Sequence, residues 1–155
     1  MKWKKPPVIK IYEALGAIGD GRVEVSGDTA KVYSSSRGKF YDVRYDPAKN
    51  AITANDNGSF YQGYLGYPSI AFLLARGIIA FDSHWAKALH GFVWKDLNVK
   101  FKNDWDKTED HIRESLATRG EDLTKLSEEL ERIESELLKM DLESLPSETK
   151  PPKAY

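Results

Sequence analysis

The period of the hydrophobic positions changes along the first fifty residues. Behind Pro6-Pro7, the side chains Val8, Ile11, Tyr12, Leu15 and Ile18 recur every three or four residues, the spacing of one helical face, with proline where helices begin. This predicts a first helix over about 7 to 19, ended by Gly19 and Gly21. The period then falls to two, with Val23 and Val25, Ala30 and Val32, and Tyr41, Val43 and Tyr45, as half-buried strands require. Ser26-Gly27-Asp28 and Ser36-Arg37-Gly38 supply tight turns, and Asp46 to Asn50 a longer one before Ala51-Ile52-Thr53. An antiparallel meander of three or four strands fits this rhythm.

From Asn55 to Tyr67 the chain is rich in Asn, Gly and Tyr, a loop with bulky anchors. Pro68 then opens a nearly all-apolar segment closed by Gly77, and a helix apolar all round is a buried one. It is expected to lie across the sheet at the centre of the core, over 68 to 76. Further helices are expected over about 82 to 90, capped by Asp82 or Ser83, and over about 98 to 118, with Phe101, Trp105, Ile112 and Leu116 on one side. The last helix is capped by Asp122, and Leu123, Leu126, Leu130, Ile133, Leu137 and Met140 follow the 3-4 alternation of a heptad seam. Pro146, Pro151 and Pro152 among Ser, Glu and Lys suit a disordered tail over 144 to 155. The fold class is therefore α+β: a small antiparallel sheet with a buried helix, followed by a helical C-terminal half. It divides into one domain over 1 to 120, an acidic amphipathic helix over 121 to 143 that docks or dimerises, and the tail.

The order of Phe40-Tyr41-Asp42-Val43-Arg44-Tyr45, then Ala51 to Asp56, then Gly66-Tyr67-Pro68-Ser69-Ile70-Ala71-Phe72-Leu73-Leu74 resembles the SWIM-type zinc finger over about residues 23 to 77. In that family a tyrosine-x-valine strand leads to a Cys-x-Cys strand, and a loop reaches a Cys-x-His that opens a helix. Ser69 and Ala71 occupy the Cys-x-His positions here, and Thr53/Asn55 or Ala54/Asp56 the Cys-x-Cys positions. All metal ligands are thus replaced, and a structural zinc site needs four of them. The resemblance implies a zinc-free protein-binding or DNA-binding module in which Phe60, Tyr61, Tyr64 and Tyr67 pack where metal would sit.

Composition narrows the classes. In 155 residues the chain has 41% hydrophobic and 30% charged content and no cysteine, so one core, no disulfides and a reducing, cytoplasmic setting are expected. No apolar run approaches a membrane span, and Pro-Pro interrupts the segment where a signal peptide would need its apolar stretch. High Lys and Glu with a single glutamine, Gln62, lean toward a heat-adapted source. The formal net charge of -1 conceals a split: residues 1 to 66 carry 10 basic and 7 acidic side chains, residues 111 to 155 carry 7 and 11. Such a split suits an anionic partner for the first half, or attraction between the two halves of one chain.

Two interaction surfaces follow. Leu123, Leu126, Leu130, Ile133, Leu137 and Met140 offer a seam for an unknown protein partner or for self-association. The alternative is weak nucleic-acid binding by the sheet, through Arg22, Lys31, Arg37, Lys39, Arg44 and Tyr41, where cations would neutralise phosphates and the ring would stack on bases. Catalysis is not expected. His84, His90 and His111 stand apart, the Asp104, Asp106, Glu109, Asp110 cluster lacks the glycine and final glutamate of a calcium loop, and no phosphate-loop or dinucleotide fingerprint is present. An enzyme would require a deep polar pocket with perturbed titratable groups. No cofactor and no metal are expected.

Overall fold

The computed structural model describes residues 1–146 and 150–152. Its elements run α1 (Ile9–Gly19), β1 (Val23–Ser26), β2 (Thr29–Tyr33), β3 (Phe40–Asp46), β4 (Ala51–Ala54), α2 (Tyr67–Ala75), α3 (Ser83–Ala88), α4 (Trp94–Lys100), α5 (Trp105–Thr118), α6 (Leu123–Met140) and β5 (Glu143–Ser144). The fold is α+β. Strands β1 to β4 form the antiparallel meander that the alternation predicts, and β5 adds a parallel edge beside β4.

Alternation decides the two faces of the sheet. Ala30, Val32, Tyr41, Val43, Ile52 and Ala54 are buried on the inner face. Against them lies α2, with Ile70, Ala71, Phe72, Leu73 and Leu74 all enclosed, and α1 covers the far side of α2. Helix α1 is in turn surrounded by α2, α3, α5 and α6, so every residue from Ile9 to Ala17 is buried. A helix enclosed on all sides is ordinarily apolar. Lys10 and Glu13 break that rule, and the site described below begins with them.

Two regions differ from the sequence reading. The helix expected over 98 to 118 is two helices, because Lys102 and Asn103 adopt left-handed φ values of 53° and 60° and Asp104 caps α5 by accepting from Lys107 N. Of the tail, Ser144 lies in β5, Leu145 N donates to Ile52 O and Arg44 donates to Pro146 O; the rest of that expectation, at 147–149 and 153–155, lies outside the described residues. The basic N-terminal arm runs along the acidic C-terminal segment. Its terminal amine lies 2.9 Å from Glu143, Lys2 reaches Asp141 and Glu143, and Lys5 reaches Glu134. These pairs are solvent-screened, and they join the two oppositely charged halves of one chain.

Helix α6 docks on its own chain. Leu126, Leu130, Ile133 and Leu137 belong to the same buried cluster as Ile9, Leu15 and Phe72, with Leu123 and Met140 packed at its margin. The heptad seam is thus core.

Candidate ligand pocket

Lys10 and Glu13 lie one turn apart on α1, which places both on the side facing the 56–67 loop and the start of α5. The Lys10 ammonium is 3.1 Å from the Glu13 carboxylate and 4.5 Å over the ring of Trp105. Only 8% of Lys10 and 3% of Glu13 is exposed, which makes this a buried ion pair. Burial works against the ammonium, but the Glu13 charge and hydrogen bond, together with Tyr64, outweigh it and hold the Lys10 pKa above its ordinary value.

Opposite the pair stands Asp56, on the loop that leaves β4. Its Oδ2 accepts from Ser59 N at 3.2 Å, and the Ser59 hydroxyl in turn accepts from Gly66 N at 3.3 Å. The carboxylate presses so closely on the entry to α2 that a Cβ on Gly66 would fall 2.0 Å from Oδ2. Gly58 is required for the same reason: a Cβ there would strike the Tyr64 ring. Between the two glycines the chain takes one π-helical turn, Gly58–Gln62, a rare form that is frequent at functional sites.

While Oδ2 is anchored, the buried Asp56 Oδ1 has no hydrogen-bond partner, and neither does the buried Asn98 Oδ1 of α4. Both residues line one pocket of roughly 440 Å³, together with Lys10, Glu13, Trp105, Tyr41, Tyr64 and Tyr67. Asn103, one of the two left-handed residues that separate α4 from α5, also lines it. Burial raises the pKa of Asp56, against the opposing hydrogen bonds of Ser59 and the charge of Lys10. Burial likewise raises Tyr64 and, more strongly, Tyr67. The pocket therefore brings together a closed ion pair, a carboxyl whose pKa burial raises, two residues each with an unmet buried oxygen, and aromatic walls.

The pH dependence of stability checks the Asp56 environment. With a folded pKa above the unfolded one, the neutral carboxyl contributes stability that is complete below the ordinary value of 3.8 and is lost as pH rises through the raised folded value. Asn cannot ionise. Urea unfolding across this window is expected to show the wild type losing stability relative to Asp56→Asn as pH increases; a constant difference between the two proteins would contradict it.

Of the interaction residues proposed from sequence, only Tyr41 lines this pocket. Arg22 is 1% exposed, donating from Nε to Asp20 and from Nη1 to Tyr33 O, and Tyr41 faces inward. Neither stands on the outer sheet face. Lys31 and Arg44 do, but Lys31 sits between Glu24 and Asp42 in the strand register and Arg44 bonds the C-terminal segment. Lys39 lies 5.6 Å over the Tyr41 ring, and Arg37 donates to Asp20 O. A continuous basic stripe is not formed by these six. Of the seam residues of α6, Leu126, Leu130, Ile133 and Leu137 are buried in the chain's own core and are not free for a partner, with Leu123 and Met140 half-buried at its margin. Ser69 and Ala71, at the positions of the zinc-finger Cys-x-His, are enclosed in α2, and among the described residues no group of three or more His, Asp or Glu is placed to hold a metal ion.

A family model described as "Uncharacterised conserved protein UCP014422" matches residues 3–143. The chain belongs to this family. The match spans the N-terminal arm, the whole pocket and α6 to the first residue of β5. No curated protein and no solved structure matches the chain.

Sequence reasoning missed Lys10, Glu13, Asp56, Asn98 and Trp105 as a set. They come from four separated stretches, and only tertiary packing brings them together. A partial signal was present in the Asn, Gly and Tyr rich stretch from Asn55 to Tyr67, since glycines that flank large rings mark close backbone approach.

Proposed function

We propose that this chain is a small-molecule-binding protein, and that its ligand occupies the pocket bounded by α1, the 56–67 loop and the α4–α5 junction. The observation that carries this reading is the pair of buried oxygens without hydrogen-bond partners, Asp56 Oδ1 and Asn98 Oδ1, on two residues that line one aromatic-walled cavity. An unsatisfied buried polar atom costs about 1–3 kcal/mol, and buried atoms left so are exceptions that call for a reason. A polar molecule bound against these two residues supplies one. The cavity falls in the size range of small-ligand sites, which are mostly apolar with a few placed polar groups.

Other hollows support the reading less well. The wider one between α3 and the start of α6, roughly 700 Å³, has several of its polar groups paired: His84 lies 2.6 Å from Glu121, Asp82 N donates to Glu129, and Arg132 donates to Ala80 O.

A thermal-shift screen of the full chain against small polar metabolites tests the proposal. A ligand at one hundred times its Kd stabilises by about 2.7 kcal/mol, which for a chain of this size raises Tm by roughly 5–10 °C. Asn98→Ala is expected to keep the unliganded melt and lose most of that shift. Compounds that shift the wild type and this variant equally, or a screen that shifts neither, would remove the proposal.

A further inference from the structure

We infer that residues 2–4 are a strap that holds the pocket's 60–64 segment in place, and that release of this segment from the strap is how the pocket opens. As a device that regulates the site, the strap rests on the reading of the pocket as a ligand site. Its contacts are backbone ones and need no ligand.

The strap is paired along both of its edges. On one edge Lys2 forms an antiparallel bridge to Glu143, and Trp3 N donates to Leu142 O at 3.1 Å. On the other edge Lys4 forms a parallel bridge to Tyr64: Lys4 N donates to Gly63 O at 3.0 Å, and Leu65 N donates to Lys4 O at 3.2 Å. Strand β5 pairs in turn with β4. Backbone hydrogen bonds thus lead from the sheet, through the C-terminal segment and the strap, to the wall of the pocket.

The restrained segment has fixed ends and a loose middle. Ser59 is tied to Asp56 and Gly66 at one end, and Leu65 is 4% exposed at the other. Between them Phe60 and Tyr61 are 37% and 65% exposed and meet edge to face, with centroids 4.9 Å apart. Among the described residues, the hydrogen bonds that join Gln62, Gly63 and Leu65 to a separate part of the chain all go to Lys4, whose ammonium also donates to Gln62 O at 3.4 Å. A stretch with exposed side chains and few outside bonds opens locally at low free energy. Gly63, at a φ of 74°, takes up backbone rotation without a Cβ penalty. Tyr61, Gln62 and Tyr64 line the pocket, so the stretch that the strap restrains is part of the pocket's own wall.

Trp3 pegs the strap. Its Nε1 donates to Ile52 O of β4 at 2.9 Å, and its ring packs at the margin of the core. The Lys2 ion pairs with Asp141 and Glu143 are exposed and screened by salt, so they hold it less firmly.

Native-state amide hydrogen exchange of the full chain, followed residue by residue, tests the strap. Lys4→Pro removes the N–H that Gly63 O accepts and keeps the Trp3 peg; Trp3→Ala removes the peg; Lys31→Ala, on the outer sheet face, is the control. Amides at 60–65 are expected to exchange roughly tenfold faster in both strap variants, with β2, β3 and α2 unchanged and the control matching wild type. Unchanged exchange at 60–65 in Lys4→Pro would overturn the strap, because the segment would then be holding itself. An equal rise across β2, β3 and α2 would also overturn it, since residues 2–4 would then belong to the cooperative core. The metabolite screen fails separately: a flat screen would remove the ligand site and the strap's role as its gate, whereas hits beside unchanged exchange would remove the strap and leave the site.

Discussion

A chain ended at Arg119 is expected to lose cooperative folding. The deletion removes α6 and β5, and with them Leu126, Leu130, Ile133 and Leu137, four side chains at most 4% exposed. Burial of each contributes about 1.5–3 kcal/mol, so their combined loss is comparable to the about 5–15 kcal/mol that holds a typical domain together. The cut also strips partners from the rest of the chain. Trp3 N donates to Leu142 O, Asn50 donates to Met140 O, and β4 would become an open sheet edge. Circular dichroism should show a broad, non-cooperative melt and calorimetry no defined transition. A sharp melt within a few degrees of the full chain would mean that α6 is an appendage, as a helix reserved for a partner would be.

The second large effect is expected at the buried ion pair. Glu13→Gln leaves the Lys10 ammonium enclosed without its counter-charge, and breaking a buried pair by removing one partner costs about 3–5 kcal/mol. Replacing both residues, as Lys10→Met with Glu13→Leu, should recover most of the loss, because well-packed apolar side chains of similar volume serve as well as a buried pair. Urea unfolding of the two variants measures the contrast. A single variant within about 0.5 kcal/mol of wild type would show that the carboxylate is solvated and that the pocket is wetter than the burial of Lys10 and Glu13 indicates.

The fold was legible where one physical rule governs a stretch by itself. Period-two alternation placed β1 to β3, and the apolar run after Pro68 placed α2 across the sheet at the centre of the core, because nothing but the core accepts Ile70 to Leu74 on every side. The break between α4 and α5 was not legible, since Lys102 and Asn103 are ordinary helix residues until their neighbours force a left-handed turn on them. Strand β5 was missed because two residues carry no periodicity; backbone pairing with β4 and the N-terminal arm defines it. The heptad pattern of α6 gave the buried face correctly but could not say whose surface buries it.

The pocket was the least legible part. A lysine and a glutamate three apart on a helix normally read as a solvated surface pair, and only the enclosure of α1 by four other helices turns them inward. Asp56 reads as a turn residue from sequence, and so it is: one oxygen performs the turn's work with Ser59, while the other is left unmet. Pairing of that kind, one atom structural and one atom free, has no signature in a linear pattern.

The measurement that bears most directly on the central claim is a two-dimensional amide map of the full chain, recorded while a mixture of small polar metabolites and, separately, single-stranded RNA are titrated in. The metabolites are expected to move resonances at 10–13, 56–67 and 98–105, and RNA to move none. Shifts that leave those stretches untouched and collect instead on Lys31, Lys39 and Arg44 with RNA, or along the outer face of α6, would contradict it.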